Sequence, residues 1–240
     1  MTFPCSHVLL WVSDLHQAVA DFRQLGFRVD YATSPERAKH AHIWFTHGPV
    51  IELLTTPANA HWFKWPIELM AGRGSSARML RWPRGGEGFC DVALQVDALD
   101  LRSTVEALRA DGMPMGRAVR WERKRPDGQR IRFQFAYPRN DRLPFLVSAY
   151  DPPQHPAVAD HANGATGLHR VHMSVRDTDE AAIRRLIGDD PGFALQPGAI
   201  TAVRAIELTG LRLPCAAALS HGADIRPIPV TIPTGTTHVA

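Results

Sequence analysis

The chain repeats itself, and an internal repeat restricts the fold more than any composition does. The segment HVLLWVSDLHQAVADFRQLGFRV begins at His7 and DVALQVDALDLRSTVEALRADGMPM begins at Asp91, aligned without a gap through a first strand, a turn and a helix. A weaker third copy, RVHMSVRDTDEAAIRRLIGDDPGFAL, begins at Arg170. Each copy opens with an apolar, β-rich run of strand length, at 8–12, 92–96 and 171–175. A turn containing Asp follows, then an amphipathic helix. Leu15, Val19, Phe22 and Leu25 line one face in the first copy, and Leu101, Val105 and Leu108 in the second. Gly26 and Gly112 stand where a left-handed C-cap is needed.

After each helix the sequence turns β-rich again, at 27–31, 42–45 and 50–54 and then at 119–122, 131–136 and 143–150. Pro126-Asp127-Gly128 marks a hairpin turn. The predicted fold class is α+β, built from repeated βαβββ modules whose strands form a curved, mixed-sheet cup. Residues 3–56 make the first module and 57–88 a linker with a short helix. The second module spans 89–156, a partial third spans 166–215, and 216–240 is a tail. In the linker, Trp62, Phe63, Trp65 and Trp82 are expected to plug a groove by packing.

The remaining composition excludes more than it assigns. With 45% hydrophobic residues over 240 positions, the chain can bury a substantial core without disulfides or a structural metal. Cys5, Cys90 and Cys215 are odd in number and form no CxxC pair, so a reducing, cytoplasmic setting is expected. The apolar run in MTFPCSHVLLWVSDL follows no Lys or Arg and ends at Asp14, which argues against a signal peptide and a membrane partner. The net charge of +3 is concentrated at 117–132, where seven Arg and Lys residues outnumber Glu122 and Asp127. No nucleic-acid module accompanies that cluster, so it fits a small anionic ligand or a solvated hairpin rather than a nucleic-acid partner. GxSxG, P-loop, Rossmann glycine and HExxH patterns are absent, which removes hydrolase, kinase, dehydrogenase and zincin readings.

The βαβββ repeat, with His7 in SHVLLWVSDL and Glu52 in VIELL, resembles the vicinal-oxygen-chelate superfamily of glyoxalase I, bleomycin-resistance proteins and extradiol dioxygenases. More narrowly, RKRPDGQRIRFQFAYP, LPFLVSAYDPPQHPAV and GATGLHRVHMSV are similar to bacterial glyoxalase-like domain proteins, over roughly residues 5 to 213. The resemblance implies two modules facing each other, each giving one His and one Glu to a divalent metal such as Zn, Ni, Mn or Fe. Open coordination positions would then chelate two neighbouring substrate oxygens. Carried over, His7 and Glu52 match in module one. The gap-free alignment sets Asp91 opposite His7, and aligning RLPFLV with PVIELL sets Phe145 opposite Glu52. His7, Glu52 and Asp91 are therefore the expected metal ligands, and Phe145 an apolar, ligand-facing residue where the fourth is lost. In the third copy Glu207 is the expected counterpart of Glu52, with Arg170 in place of the His and His169 and His172 flanking it.

Two functional readings follow. One is a metal-dependent lyase, isomerase or dioxygenase acting on a small polar or aromatic metabolite, with Glu52 and His42 as proton carriers. The other is a non-catalytic binder of the bleomycin-resistance type, favoured by Phe145. A scaffold without a ligand is disfavoured by polar residues at pocket-facing positions. Alternation puts His40, His42 and Trp44 on one strand face, making Trp44 a stacking wall. Arg123, Arg125 and Arg132 flank the 126–128 turn and are expected to hold an anion. His155, fixed by the proline after it, is expected to be structural. The unmatched third module is expected to pair with its copy in a homodimer, unless linker or tail covers it.

Overall fold

Asp14 starts the first helix: its carboxylate accepts the N–H groups of His16 and Gln17, two of the donors that a helix start leaves unpaired. From there α1 (Leu15–Gln24) turns Leu15, Ala18, Val19 and Phe22 inward. Burying the Phe22 ring completely is worth about 1.5–3 kcal/mol. Gly26 ends the helix at φ 85°, where a Cβ would be strained and would meet Asn163. The structure, a computed structural model, describes residues 2–57, 62 and 64–228.

Module one contributes β1 (Cys5–Trp11), α1, β2 (Asp30–Tyr31), β3 (His40–Ile43) and β4 (Val50–Leu54). The linker forms two helices rather than one, α2 (Lys64–Ala71) and α3 (Ser75–Arg84). Trp82 is a buried plug as expected, whereas Trp65 is exposed and Phe63 lies outside the described residues. Module two contributes β5 (Gly88–Val96), α4 (Arg102–Ala110), β6 (Val119–Lys124), β7 (Arg130–Ala136) and β8 (Phe145–Ser148). Together they make one curled, mixed sheet in the order β2-β3-β4-β1-β5-β8-β7-β6.

The two modules meet along β1 and β5, which run antiparallel, while β4 and β8 lie parallel to their outer sides. Val8 stands opposite Val92, so His7 opposite Ala93 and Leu9 opposite Asp91 are related by a pseudo-twofold axis. His7 and Asp91 are thus equivalent. Leu9 neighbours Glu52 and Ala93 neighbours Phe145, so Glu52 and Phe145 are equivalent too.

Strand alternation gives the sheet two different faces. Val8, Leu10, Ile51, Leu53, Val92 and Leu94 join the main core with α1, α4 and the third module. On the concave face Leu9, Ala93, Phe145 and Val147 pack with Trp82 and Met79 of α3. In this cluster β4 gives only Leu54 and β3 gives nothing, and the open cavity lies on that side of the cup.

The third module contributes β9 (Gly167–Val175), α5 (Asp177–Ile187), β10 (Phe193–Pro197) and β11 (Ala202–Thr209). The segment expected as a tail supplies β12 (Asp224–Pro227), with Pro229 and Pro233 outside the described residues. Its sheet order, β10-β9-β11-β12, repeats the β4-β1-β5-β8 centre of the large sheet with the same strand directions. Glu207 therefore lies on the counterpart of β5, not of β4, and is not the equivalent of Glu52. Its carboxylate accepts from His172 at 2.9 Å.

Candidate functional site

Three neighbouring strands deliver the site. Glu52 on β4 stands opposite His42 on β3 and Leu9 on β1, and alternation places His40 and His7 on the same concave face. His7 Nε2 is 3.2 Å from Glu52 Oε2, His40 Nδ1 is 2.5 Å from Oε1, and His42 Nε2 is 3.9 Å from Oε1. Burial alone would raise the Glu52 pKa, but the His40 bond and the surrounding imidazoles hold it far below the usual carboxylate range. Burial lowers His7 and takes His42 well below the ordinary imidazole value, with Arg123 adding to the second effect. At neutral pH the centre is one carboxylate with neutral imidazoles at His7 and His42.

Donor counting assigns the tautomers. Arg123 can only donate, so His42 Nε2, 3.3 Å from its Nη1, accepts and His42 carries its proton on Nδ1. His7 donates from Nε2 to Glu52, so its Nδ1 accepts from Ser6 Oγ at 3.1 Å. Ser6 has one proton and a second acceptor, Gln95 Oε1, also at 3.1 Å. Ser6 faces this way because β1 bulges between Cys5 and His7, which breaks the alternation.

These groups open onto a cavity of about 560 Å³, walled also by Trp44, Tyr150, His155 and, from the third module, Leu168 and His169. Trp44 lies 5.1 Å from the His42 ring and 5.4 Å from that of His155. The His155 ring is fixed by its Nδ1 on the Phe45 carbonyl at 3.0 Å. Phe145 is buried behind His7, edge-on at 5.8 Å. Arg123 and Arg125 line an adjoining cavity. Arg132 does not join them. It stands opposite Glu122, on the other face of the hairpin from Arg123, and lies 3.6 Å from that carboxylate.

Asp91 does not reach the cavity either. Both its oxygens take Arg78 Nη1 at 2.7 Å, and Oδ2 also takes Arg81 Nη2 at 3.1 Å and Trp82 Nε1 at 2.9 Å. Arg78 is wholly buried, gives Nη2 to the Leu143 carbonyl at 2.7 Å, and lies over the Tyr137 and Phe145 rings. The half of the cup equivalent to His7 and Glu52 is thus closed by a helix and an internal arginine.

A family model described as a glyoxalase-like domain matches residues 5–186. The chain belongs to that family. No curated protein matches the sequence. The glyoxalase-like fold is shared with a hypothetical protein from Staphylococcus aureus at 12% identity, over 94% of this chain and 99% of that one, TM-score 0.71. It is also shared with the Mn(II)-bound glyoxalase from Novosphingobium aromaticivorans at 13% identity, over 88% and 66%, TM-score 0.51. A Streptomyces coelicolor methylmalonyl-CoA epimerase in complex with 2-nitronate-propionyl-CoA aligns at 19% identity over 62% and 98%, TM-score 0.38. At 12% and 13% identity the likeness to the first two is one of fold.

The metal site that the family resemblance implies takes one His and one Glu from each module. Here module two offers Asp91, already neutralised by Arg78 and Arg81, and Phe145, which has no donor atom. Arg123 adds a fixed positive charge beside His42. Among the described residues no group of three or more His, Cys, Asp and Glu side chains is arranged to hold a metal. The set His7, Glu52 and Asp91 does not fit one. Sequence reasoning missed Ser6 and Arg78: a bulge leaves no composition signal, and an arginine in a Gly- and Trp-rich linker reads as solvated.

Proposed function

We propose that this glyoxalase-like protein is an acid–base enzyme of isomerase or lyase type, acting on a small metabolite that bears an oxyanion next to an acidic C–H. The observation that carries the reading is an ionised, part-buried Glu52 ringed by His7, His40 and His42 at the wall of a ligand-sized cavity. His42 is the proton carrier. A substrate oxyanion takes the Nη1 of Arg123, which frees His42 Nε2 to accept the proton from carbon. Glu52, 3.9 Å away, then stabilises the imidazolium, while Arg123 holds the negative charge that develops on the substrate oxygen. Returning the proton to a neighbouring atom completes an isomerisation, and expelling a leaving group instead completes an elimination. Trp44 stacks on the planar part of the ligand. The expected divalent ion is not carried into this scheme, because Asp91 is spent on Arg78 and Arg81.

Hydrogen–deuterium exchange from solvent into a panel of small 2-oxo and 2-hydroxy carboxylates, followed by proton NMR, tests the reading. Exchange is expected on at least one of them, with His42→Gln and Glu52→Gln each reducing the rate about 10²-fold or more. An unchanged rate in His42→Gln would overturn the assignment. Elemental analysis of the same preparation is expected to find no stoichiometric transition metal. Phe145, apolar at the place equivalent to Glu52, supports a second reading as a non-catalytic binder, for which a compound would bind without any exchange.

A further inference from the structure

We infer that the ligand carries a second, doubly negative end, held in an arginine-lined chamber beyond the wall formed by His42, Trp44 and His155. This rests on the proposed reading of the first cavity and assigns its substrate class. The chamber measures about 440 Å³ and shares His42, Trp44, Pro153, Gln154 and His155 with the reactive cavity, so one molecule can lie across both. Arg23, Arg28, Arg123 and Arg125 line it against only Asp30 and Asp127. Arg28 and Arg125 are each offset by one of those carboxylates, at 3.6 Å and 3.2 Å. Two positive charges are left over, from Arg23 and Arg123.

Arg123 supplies the independent sign of a ligand. Its Nε is buried and has no hydrogen-bond partner among the described residues, although its Nη1 meets His42. A buried N–H without an acceptor is destabilising, and a small turn of the guanidinium toward a ligand oxygen at the junction of the two chambers relieves it. The guanidinium is a planar fork, so the same side chain can hold an oxyanion through Nε while Nη1 remains with His42 or the reacting end. The shared chemistry is a compact dianion, either a phosphate monoester or a second carboxylate paired with the first.

Isothermal titration of the full chain with inorganic phosphate, and separately with malonate, tests this. At least one anion is expected to bind with 1:1 stoichiometry, and the tighter of the two identifies the class. Arg123→Ala and Arg23→Ala are each expected to weaken it roughly tenfold, and Arg123→Lys to recover part of that loss, since charge returns without the fork. Failure of both anions to bind, or a double Arg23→Ala, Arg123→Ala variant that binds as the wild type does, would overturn the inference. Glu52→Gln separates the two ideas. Anion binding that survives while exchange is lost supports both, and anion binding in a protein with no Glu52-dependent exchange supports the chamber and removes the proposed chemistry.

Discussion

Glu52 stays charged beneath a sheet because its partners are supplied in advance: two imidazole N–H groups reach its oxygens before any ligand arrives. The same arrangement makes stability depend on pH. In the unfolded chain His7 and His42 take up protons near pH 6.5, whereas in the folded site burial lowers both, and Arg123 lowers His42 further. Below pH 6.5 the unfolded state therefore binds more protons than the folded one, and stability falls as pH falls. Glu52 acts in the same direction at lower pH, because its depressed value gives stability that is present above the unfolded carboxylate value and lost on acidification. The expected outcome is a Tm that drops steadily from pH 7.5 to 5.5, with a shallower slope in His42→Gln; superimposable slopes would show that His42 titrates normally. At this scale the sequence was partly legible. His7 and Glu52 are marked by the family resemblance and His42 by strand alternation, but the sequence does not set Arg132 apart from Arg123, because a hairpin turn does not say which face each arm presents.

Among the elements, the β1 and β5 copies were legible because a gap-free repeat on strands meeting at a pseudo-twofold axis leaves little freedom in register. The linker helices were not, since their placement depends on one buried charge that no local pattern announces. Arg78 reaches from α3 to both Asp91 oxygens and to the Leu143 carbonyl, and so fixes the helix over module two. Replacing it by Met leaves Asp91 with Arg81, Trp82 and the Val92 N–H. Arg78→Met is expected to cost about 3 kcal/mol, the lower end for breaking a buried pair, with part of the loss recovered in the Arg78→Met, Asp91→Asn double variant. Urea denaturation of the three proteins measures this. A loss under about 1 kcal/mol for the single variant would mean that Arg81 alone neutralises Asp91.

For the whole molecule, the third module is part of the structure rather than an appendage. Val171, Ile206 and Leu208 share one core with Val8, Leu10 and Leu94 of the large sheet, and the apolar face that suggested a homodimer contact is covered within the chain. Truncation before Gly167 would uncover that surface, so the shortened chain is expected to aggregate or lose its cooperative transition, as light scattering and thermal melting would report. A shortened chain that remained monomeric with an unaltered Tm would show that the first two modules suffice. No helix among the described residues is long and apolar enough to cross a membrane. The closing of one half of the cup has a stereochemical consequence under the proposed chemistry. Glu52 and the imidazoles of His7, His40 and His42 around it all stand on the module-one wall. Module two brings Gln95, Asp97, Gln154, His155, whose Nδ1 is held by the Phe45 carbonyl, and Tyr150, whose phenol burial pushes well above its usual value. A flat enolate that takes its proton back from His42 meets it from the module-one side, so a turnover that creates a new stereocentre is expected to favour a single mirror-image form.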